Sequence, residues 1–201
     1  MLSGSSLSHA QAKPATSILL FGDSIIAGYG LKEEDALDIQ LEKFFAKNGQ
    51  AVTVENAGVS GDTTNSGLSR LEWAIKRSAP DIVFLALGGN DVLRGIPPTF
   101  TRKNLDAMLA ILQKRNINVV FSRVQAPSNL GANYSVALNN AYEELAKTYN
   151  VPLYPFLLEG TFNKPALMLK DGIHPNAQGV KIISQELGRY LLDYINTALP
   201  K

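Results

Sequence analysis

Cysteine is absent from all 201 residues. That excludes disulfides, cysteine nucleophiles and thiolate-ligated metal sites together. Charge of one sign is not concentrated anywhere: Lys and Arg number 19 against 18 for Asp and Glu, a formal net of +1. With no dense basic run, nothing in the composition points to a nucleic-acid or anionic-membrane partner. Long hydrophobic runs are missing too. Stretches such as Ile82-Val83-Phe84-Leu85-Ala86-Leu87 fall far short of the roughly 20 residues a membrane-crossing helix needs. Three familiar loops are also absent: no G-x-G-x-x-G follows a candidate strand, and neither G-x-x-x-x-G-K-[ST] nor G-x-S-x-G occurs. A dinucleotide crossover, a Walker-type phosphate loop and the nucleophile elbow of the α/β-hydrolases are thereby set aside.

What remains is the composition of an ordinary globular chain, 45% hydrophobic and 18% charged, of a size that suits one domain with a substantial core. Residues 1–15 differ from the rest. MLSGSSLSHAQA is small, polar and aperiodic, and Ala10-Gln11-Ala12 fits the small-residue pattern before a signal-peptidase cut. A basic n-region and a long apolar h-region are lacking, so the leader reads either as a signal-peptide remnant or as a disordered segment with a chance Ala-x-Ala. The first reading places the protein in the periplasm or outside the cell, without excluding the cytoplasm.

From Thr16 to the C-terminus, residues 16–201 read as one domain in which short apolar runs alternate with helical periodicity. Strands are expected at Ser17–Phe21, Val52–Glu55, Asp81–Leu87, Asn118–Phe121 and near Pro152–Tyr154. Leu37, Leu41, Phe44 and Phe45 share one helix face, and Leu68, Leu71 and Ile75 mark a second helix. Leu105, Met108, Leu109 and Leu112 mark a third, and Leu138, Ala141, Tyr142, Leu145 and Tyr149 a fourth. Val180, Ile183, Leu187, Leu191 and Ile195 mark a last helix from about Asn176. Five alternations predict an α/β fold, a parallel sheet with helices on both faces. Ligands then bind beyond the carboxyl ends of the strands.

The loops at those ends are Gly22-Asp23-Ser24, Asn56 through Thr64, and Gly88-Gly89-Asn90-Asp91. Each is also ordinary helix-capping and turn chemistry. Ser24 alone is equally a residue that starts a helix. The one histidine outside the leader is His174, in Asp171-Gly172-Ile173-His174-Pro175. A carboxylate three residues ahead can fold back on imidazole Nδ1, but a plain turn capped by Asp171, with Pro175 starting the helix, fits the same residues.

Taken together, Gly22-Asp23-Ser24, Gly61, Gly89-Asn90-Asp91 and Asp171-x-x-His174 resemble the four blocks of the SGNH (GDSL-type) hydrolases, in family order and across residues 22–174. Ser60 to Thr64, Leu87 to Gly95 and Asp171 to Asn176 resemble its bacterial thioesterase/arylesterase/lysophospholipase-like subgroup. The resemblance implies a three-layer α/β/α sandwich with a flavodoxin-like five-stranded parallel sheet. It implies a serine esterase acting on small-molecule acyl esters or thioesters through an acyl-enzyme. Ser24 is then the nucleophile, His174 the base and Asp171 its orienting partner. The oxyanion hole consists of the Ser24 and Gly61 backbone N–H groups and the Asn90 side chain. Block one carries Ile25 where Leu is usual, an exchange without consequence for the chemistry.

Asp23, Asp62, Thr63 and Asp91 are expected to hold loop geometry rather than move protons. Val92, Leu93 and Ile96, with Arg94 among them, are candidate substrate contacts, as are the apolar stretches Phe156 to Leu158 and Ala166 to Leu169. The same apolar groups also suit the edge of a core, and Arg94 suits a solvated or ion-paired role. No His-rich or carboxylate cluster has ligand spacing, so neither metal nor cofactor is expected. Two other functions stay open: an O-acetylesterase acting on sugars with the same chemistry, and a non-catalytic flavodoxin-like binding domain.

Overall fold

The computed structural model describes residues 16–199. The leader and its Ala-x-Ala pattern lie outside the described residues. Five parallel strands form one sheet: β1 (Thr16–Gly22), β2 (Val52–Gly58), β3 (Ile82–Ala86), β4 (Asn118–Ser122) and β5 (Leu153–Tyr154), in the order β2-β1-β3-β4-β5. β1 is an interior strand, paired on both edges, and its run of Ile18, Leu19, Leu20 and Phe21 is apolar on both faces with all four buried. Alternation along the strand sends Ile18 and Leu20 into one core and Leu19 and Phe21 into the other.

The first core lies under α2 (Leu37–Lys47) and the C-terminal α7 (Ala177–Ala198). Leu37, Leu41, Phe44 and Phe45 meet Val180, Ile183, Leu187 and Leu191 there. The second lies under α3 (Thr64–Ser78), α5 (Pro98–Lys114) and α6 (Ala132–Tyr149), with Leu71, Leu105, Met108, Leu138 and Tyr142 at its centre. Two short helices, α1 (Ser24–Ala27) and α4 (Gly89–Leu93), follow β1 and β3 directly. The result is the expected three-layer α/β/α sandwich with a flavodoxin-like sheet.

Strand boundaries differ from the sequence expectation by one to three residues. β2 runs three residues past Glu55, because its ladder with β1 continues to the pair Gly22 and Gly58. Pairing with β1 outweighs the turn-forming character of Asn56 and Gly58. β3 is one residue shorter at each end. Asp81 uses its carboxylate to accept the Ser17 N–H and O–H, both at 2.8 Å, and the Leu87 carbonyl accepts the Tyr142 hydroxyl at 2.6 Å.

Strand order reverses at β1, whose successors β2 and β3 lie on opposite sides of it. A crevice therefore opens at the carboxyl ends of β1 and β3. Gly22, Gly58 and Ala86, the last residues of three adjacent strands, deliver their loops to it.

Candidate active site

At the end of β1 the chain turns through Asp23 into α1. The Asp23 Oδ1 caps this turn by accepting the Ile25 N–H at 3.1 Å. Ser24 becomes the first helical residue, and its own N–H donates to no acceptor among the described residues. Asp23 is buried, and burial pushes its carboxyl up to about 6, against the opposing effects of the Ile25 N–H and the nearby His174. It faces the Gly89 backbone, where an added Cβ would come within 3.0 Å of Oδ2.

The loop before α7 brings His174 to Ser24. Asn176 caps that helix by accepting the Gln178 and Gly179 N–H groups, which fixes where the preceding turn points. Within the turn, Asp171 Oδ1 accepts the Ile173 and His174 N–H groups at 2.9 and 3.0 Å, and Oδ2 meets His174 Nδ1 at 2.7 Å. Hydrogen bonds from the His174 backbone and ring and the Ile173 backbone hold the Asp171 carboxyl down at about 2. An ionised Asp171 keeps the proton on Nδ1, which leaves the Nε2 lone pair for the Ser24 hydroxyl. That contact is 2.8 Å. The Tyr29 ring lies against the imidazole, centroids 4.5 Å apart, a neighbour that no spacing in the sequence marks.

Asn90 sits not in an open loop but in α4, entered through Gly88 at φ +120°. Only glycine fits there, since an added Cβ would be 2.2 Å from the Tyr142 hydroxyl. The neighbouring Asp91, 1% exposed, accepts the Thr64 N–H at 2.8 Å and the hydroxyls of Thr64 and Thr101 at 2.5 and 3.2 Å. Its carboxylate thus ties α4 to the start of α3 and to Thr101 of α5. Thr63 caps α3 in a reciprocal pair with Ser66. Asp62 is buried and pairs with Arg70 Nε at 2.6 Å, while Arg70 Nη2 donates to the Gly22 carbonyl at 2.9 Å. Arg70 also covers the Phe21 ring at 4.1 Å. Arg70 therefore joins the Ser24 turn to the Gly61 turn, a link that sequence reading did not single out.

Beside Ser24 a cavity of about 760 Å³ opens. Ser24, Asn90, Val92 and Leu93 line it, together with Phe156, Leu157 and Leu158. Gly61, Arg94 and Ile96 do not. Arg94 Nη2 instead donates to the Gly61 carbonyl at 2.9 Å, and the Ile96 carbonyl accepts the Tyr134 hydroxyl. Of Ala166 to Leu169 none reaches the cavity; Met168 pairs with Pro175 and braces the His174 turn. The wall also includes Arg123 to Ser128, the loop after β4, which sequence reading passed over. The rule that sites follow strands marks it as well as the other three. Past Arg123, Gln125, Asn139, Phe156 and Phe162 the cavity adjoins a second chamber of about 640 Å³ that Glu159 also lines. Among the described residues no cluster of His, Asp and Glu could hold a metal ion.

The chain is similar to known proteins along most of its length. Residues 20–182 match the model of the GDSL-like Lipase/Acylhydrolase family. The chain is 37% identical to an arylesterase of Vibrio mimicus over 186 residues, 90% of this chain and 93% of that one. It is 36% identical to the thioesterase 1/protease 1/lysophospholipase L1 of Escherichia coli K12, over 92% of this chain and 88% of that one. The crystal structure of the psychrotrophic esterase EstA from Pseudoalteromonas sp., inhibited by monoethylphosphonate, superposes with a TM-score of 0.86 at 28% identity, over 90% of this chain and all of that one. The chain belongs to the GDSL-like lipase/acylhydrolase family and is a carboxylic ester hydrolase.

Proposed function

We propose that the protein hydrolyses acyl esters and thioesters with Ser24 as nucleophile, His174 as general base and acid, and Asp171 as the group that orients and charges His174. The observation that carries this is the unbroken series from Asp171 Oδ2 to His174 Nδ1, 2.7 Å, and from His174 Nε2 to Ser24 Oγ, 2.8 Å. Ser24 Oγ attacks the acyl carbonyl as its proton passes to Nε2. The resulting imidazolium is stabilised by Asp171 and returns the proton to the departing alkoxide or thiolate. Water, deprotonated by the same Nε2, then attacks the acyl-enzyme, and the proton goes back to Ser24 as the carboxylic acid leaves.

The carbonyl oxygen gains charge in both halves of the cycle. The donors assigned to it are the Ser24 and Gly61 N–H groups and the Asn90 side-chain amide. In support, neither backbone N–H donates to an acceptor among the described residues, and Asn90 shares the cavity wall with Ser24. The Vibrio mimicus relative is an arylesterase and the Escherichia coli relative a thioesterase and lysophospholipase, which supports a substrate with an apolar acyl or aryl group. Val92, Leu93, Phe156, Leu157 and Leu158 supply apolar walls for it.

A second reading, an O-acetylated sugar, is favoured by the polar side chains Arg123, Gln125, Asn139 and Glu159 around the far chamber. A series of aryl esters from acetate to long-chain acyl separates the two: activity confined to acetate selects the sugar ester. Labelling by a fluorophosphonate probe tests the chemistry itself, and undiminished labelling of Ser24→Ala overturns it. The Ala10-Gln11-Ala12 pattern supports export to the periplasm or beyond; cell fractionation checks this. No helix among the described residues is long and apolar enough to cross a membrane.

A further inference from the structure

Glycine at position 61 has φ +86°, and a residue without a Cβ rotates freely about both backbone bonds. An N–H group on such a residue aims at a developing charge only if its flanking peptides are held from outside. The peptide on one side belongs to a turn closed by Asp62 N–H donating to the Val59 carbonyl at 3.1 Å. The peptide on the other side presents the Gly61 carbonyl, and Arg94 Nη2 donates to it at 2.9 Å. Arg94 has no carboxylate within ion-pair distance among the described residues. This long exposed cation is committed to a backbone oxygen.

The position of Arg94 in the chain gives that bond a purpose. It follows α4 directly as its C-terminal cap, with its own N–H donating to the Asn90 carbonyl at 3.1 Å. One residue is therefore bonded to Asn90 through its backbone and to Gly61 through its side chain. On the buried side, Asp91 fastens the same helix to Thr64. The turn of Gly61 and the helix of Asn90 come from different strands, β2 and β3, and Arg94 spans them.

We propose that Arg94 is a positioning residue that anchors the Gly61 carbonyl and, with the Val59–Asp62 turn, sets the direction of the Gly61 N–H relative to the Asn90 amide, so that both donors converge on one oxygen. The role builds on the reading of Gly61 and Asn90 as oxyanion donors. Arg94 touches neither the nucleophile nor the substrate cavity; it acts through Gly61.

The test is steady-state kinetics on aryl esters with Arg94→Met, Arg94→Lys and Arg94→Ala. Misplacing one donor rather than removing it lowers kcat by about 10- to 100-fold, with KM within about twofold of wild type and no change in the thermal midpoint. Arg94→Lys recovers part of the rate, because an ammonium reaches a carbonyl but lacks the planar fork. Guanidinium at low millimolar concentration raises the rate of Arg94→Ala and not that of wild type. Wild-type kcat in Arg94→Met overturns the proposal. A loss confined to KM overturns it as well, since Arg94 would then contact substrate, and so does failure of both lysine and guanidinium to restore rate. Asn90→Ala keeps the two levels apart: wild-type kcat there removes the oxyanion reading itself, whereas an impaired Asn90→Ala beside a normal Arg94→Met removes only the role of Arg94.

Discussion

His174 Nε2 lies 2.8 Å from Ser24 Oγ although 150 positions separate them in the chain. The helix caps at Asp23 and Asn176 bring the two together from opposite ends of the domain. Replacing Ser24 by Ala removes the covalent route, and kcat on a short aryl ester falls by about 10⁶. Asp171→Asn leaves the turn able to form but favours the wrong imidazole tautomer, with a loss of about 10⁴. Burst kinetics check both, since an acyl-enzyme burst present in wild type disappears in Ser24→Ala.

Asn90→Ala keeps α4 and deletes one side-chain donor. The expected result is a fall in kcat of about 10² to 10³ with KM nearly unchanged. A change in KM alone would assign Asn90 to ground-state binding.

Asp23 makes stability depend on pH in the opposite sense to Asp171. Its carboxyl rises from 3.8 to about 6 on folding, so between those values the folded state binds more protons than the unfolded one. Stability then falls as pH climbs through that window and stays lower above it. Asp23→Asn keeps an oxygen for the Ile25 N–H and removes the buried charge. It raises unfolding free energy at pH 8 by about 1–3 kcal/mol, with little change at pH 3.5. Asp171, held at about 2, contributes stability that is present above 3.8 and lost as pH falls toward 2. Urea melts of wild type and both Asn variants across pH 2–8 separate the two contributions.

Tyr142 is fully buried, and its hydroxyl donates to the Leu87 carbonyl at 2.6 Å just before the Gly88 turn. Tyr142→Phe leaves that carbonyl without its partner and costs about 1–3 kcal/mol. Differential scanning calorimetry should show the lowered midpoint; an unchanged one would mean that water replaces the hydroxyl without loss.

Phe156 meets Phe162 edge-on, ring centroids 5.7 Å apart, and both line the two adjoining chambers. Phe156→Ala opens this wall. KM for long-chain acyl esters rises about 10-fold, the loss of roughly 1.4 kcal/mol of apolar contact, while acetate esters are unaffected. An equal effect on acetate would place Phe156 at the reacting centre instead.

The order of elements was legible because buried strands such as Ile18 to Phe21 are continuously apolar, and helices such as α7 carry Val180, Ile183, Leu187 and Leu191 on one face. Membership in the family was legible from four short blocks. The roles of single polar residues were less so. Asp23 and Asp91 were read as scaffolding; the structure shows how they brace, through the Ile25 and Thr64 N–H groups. Arg70 and Tyr29 escaped notice, because nothing in local spacing distinguishes a side chain that reaches across to another loop, whereas the loop from Arg123 to Ser128 follows β4 and is marked by its place after a strand.

Sequence alone determined what depends on neighbours along the chain: strand and helix type from hydrophobic period, and the short reach of Asp171 back to its own turn. Tertiary structure decided what depends on strand order. Because β1 lies between β2 and β3, their loops converge, and only that convergence sets Arg94 against Gly61, Asp91 against Thr64 and Ser24 in one wall with Asn90. Those contacts span 27 residues or more of sequence, and periodicity encodes no information at that range.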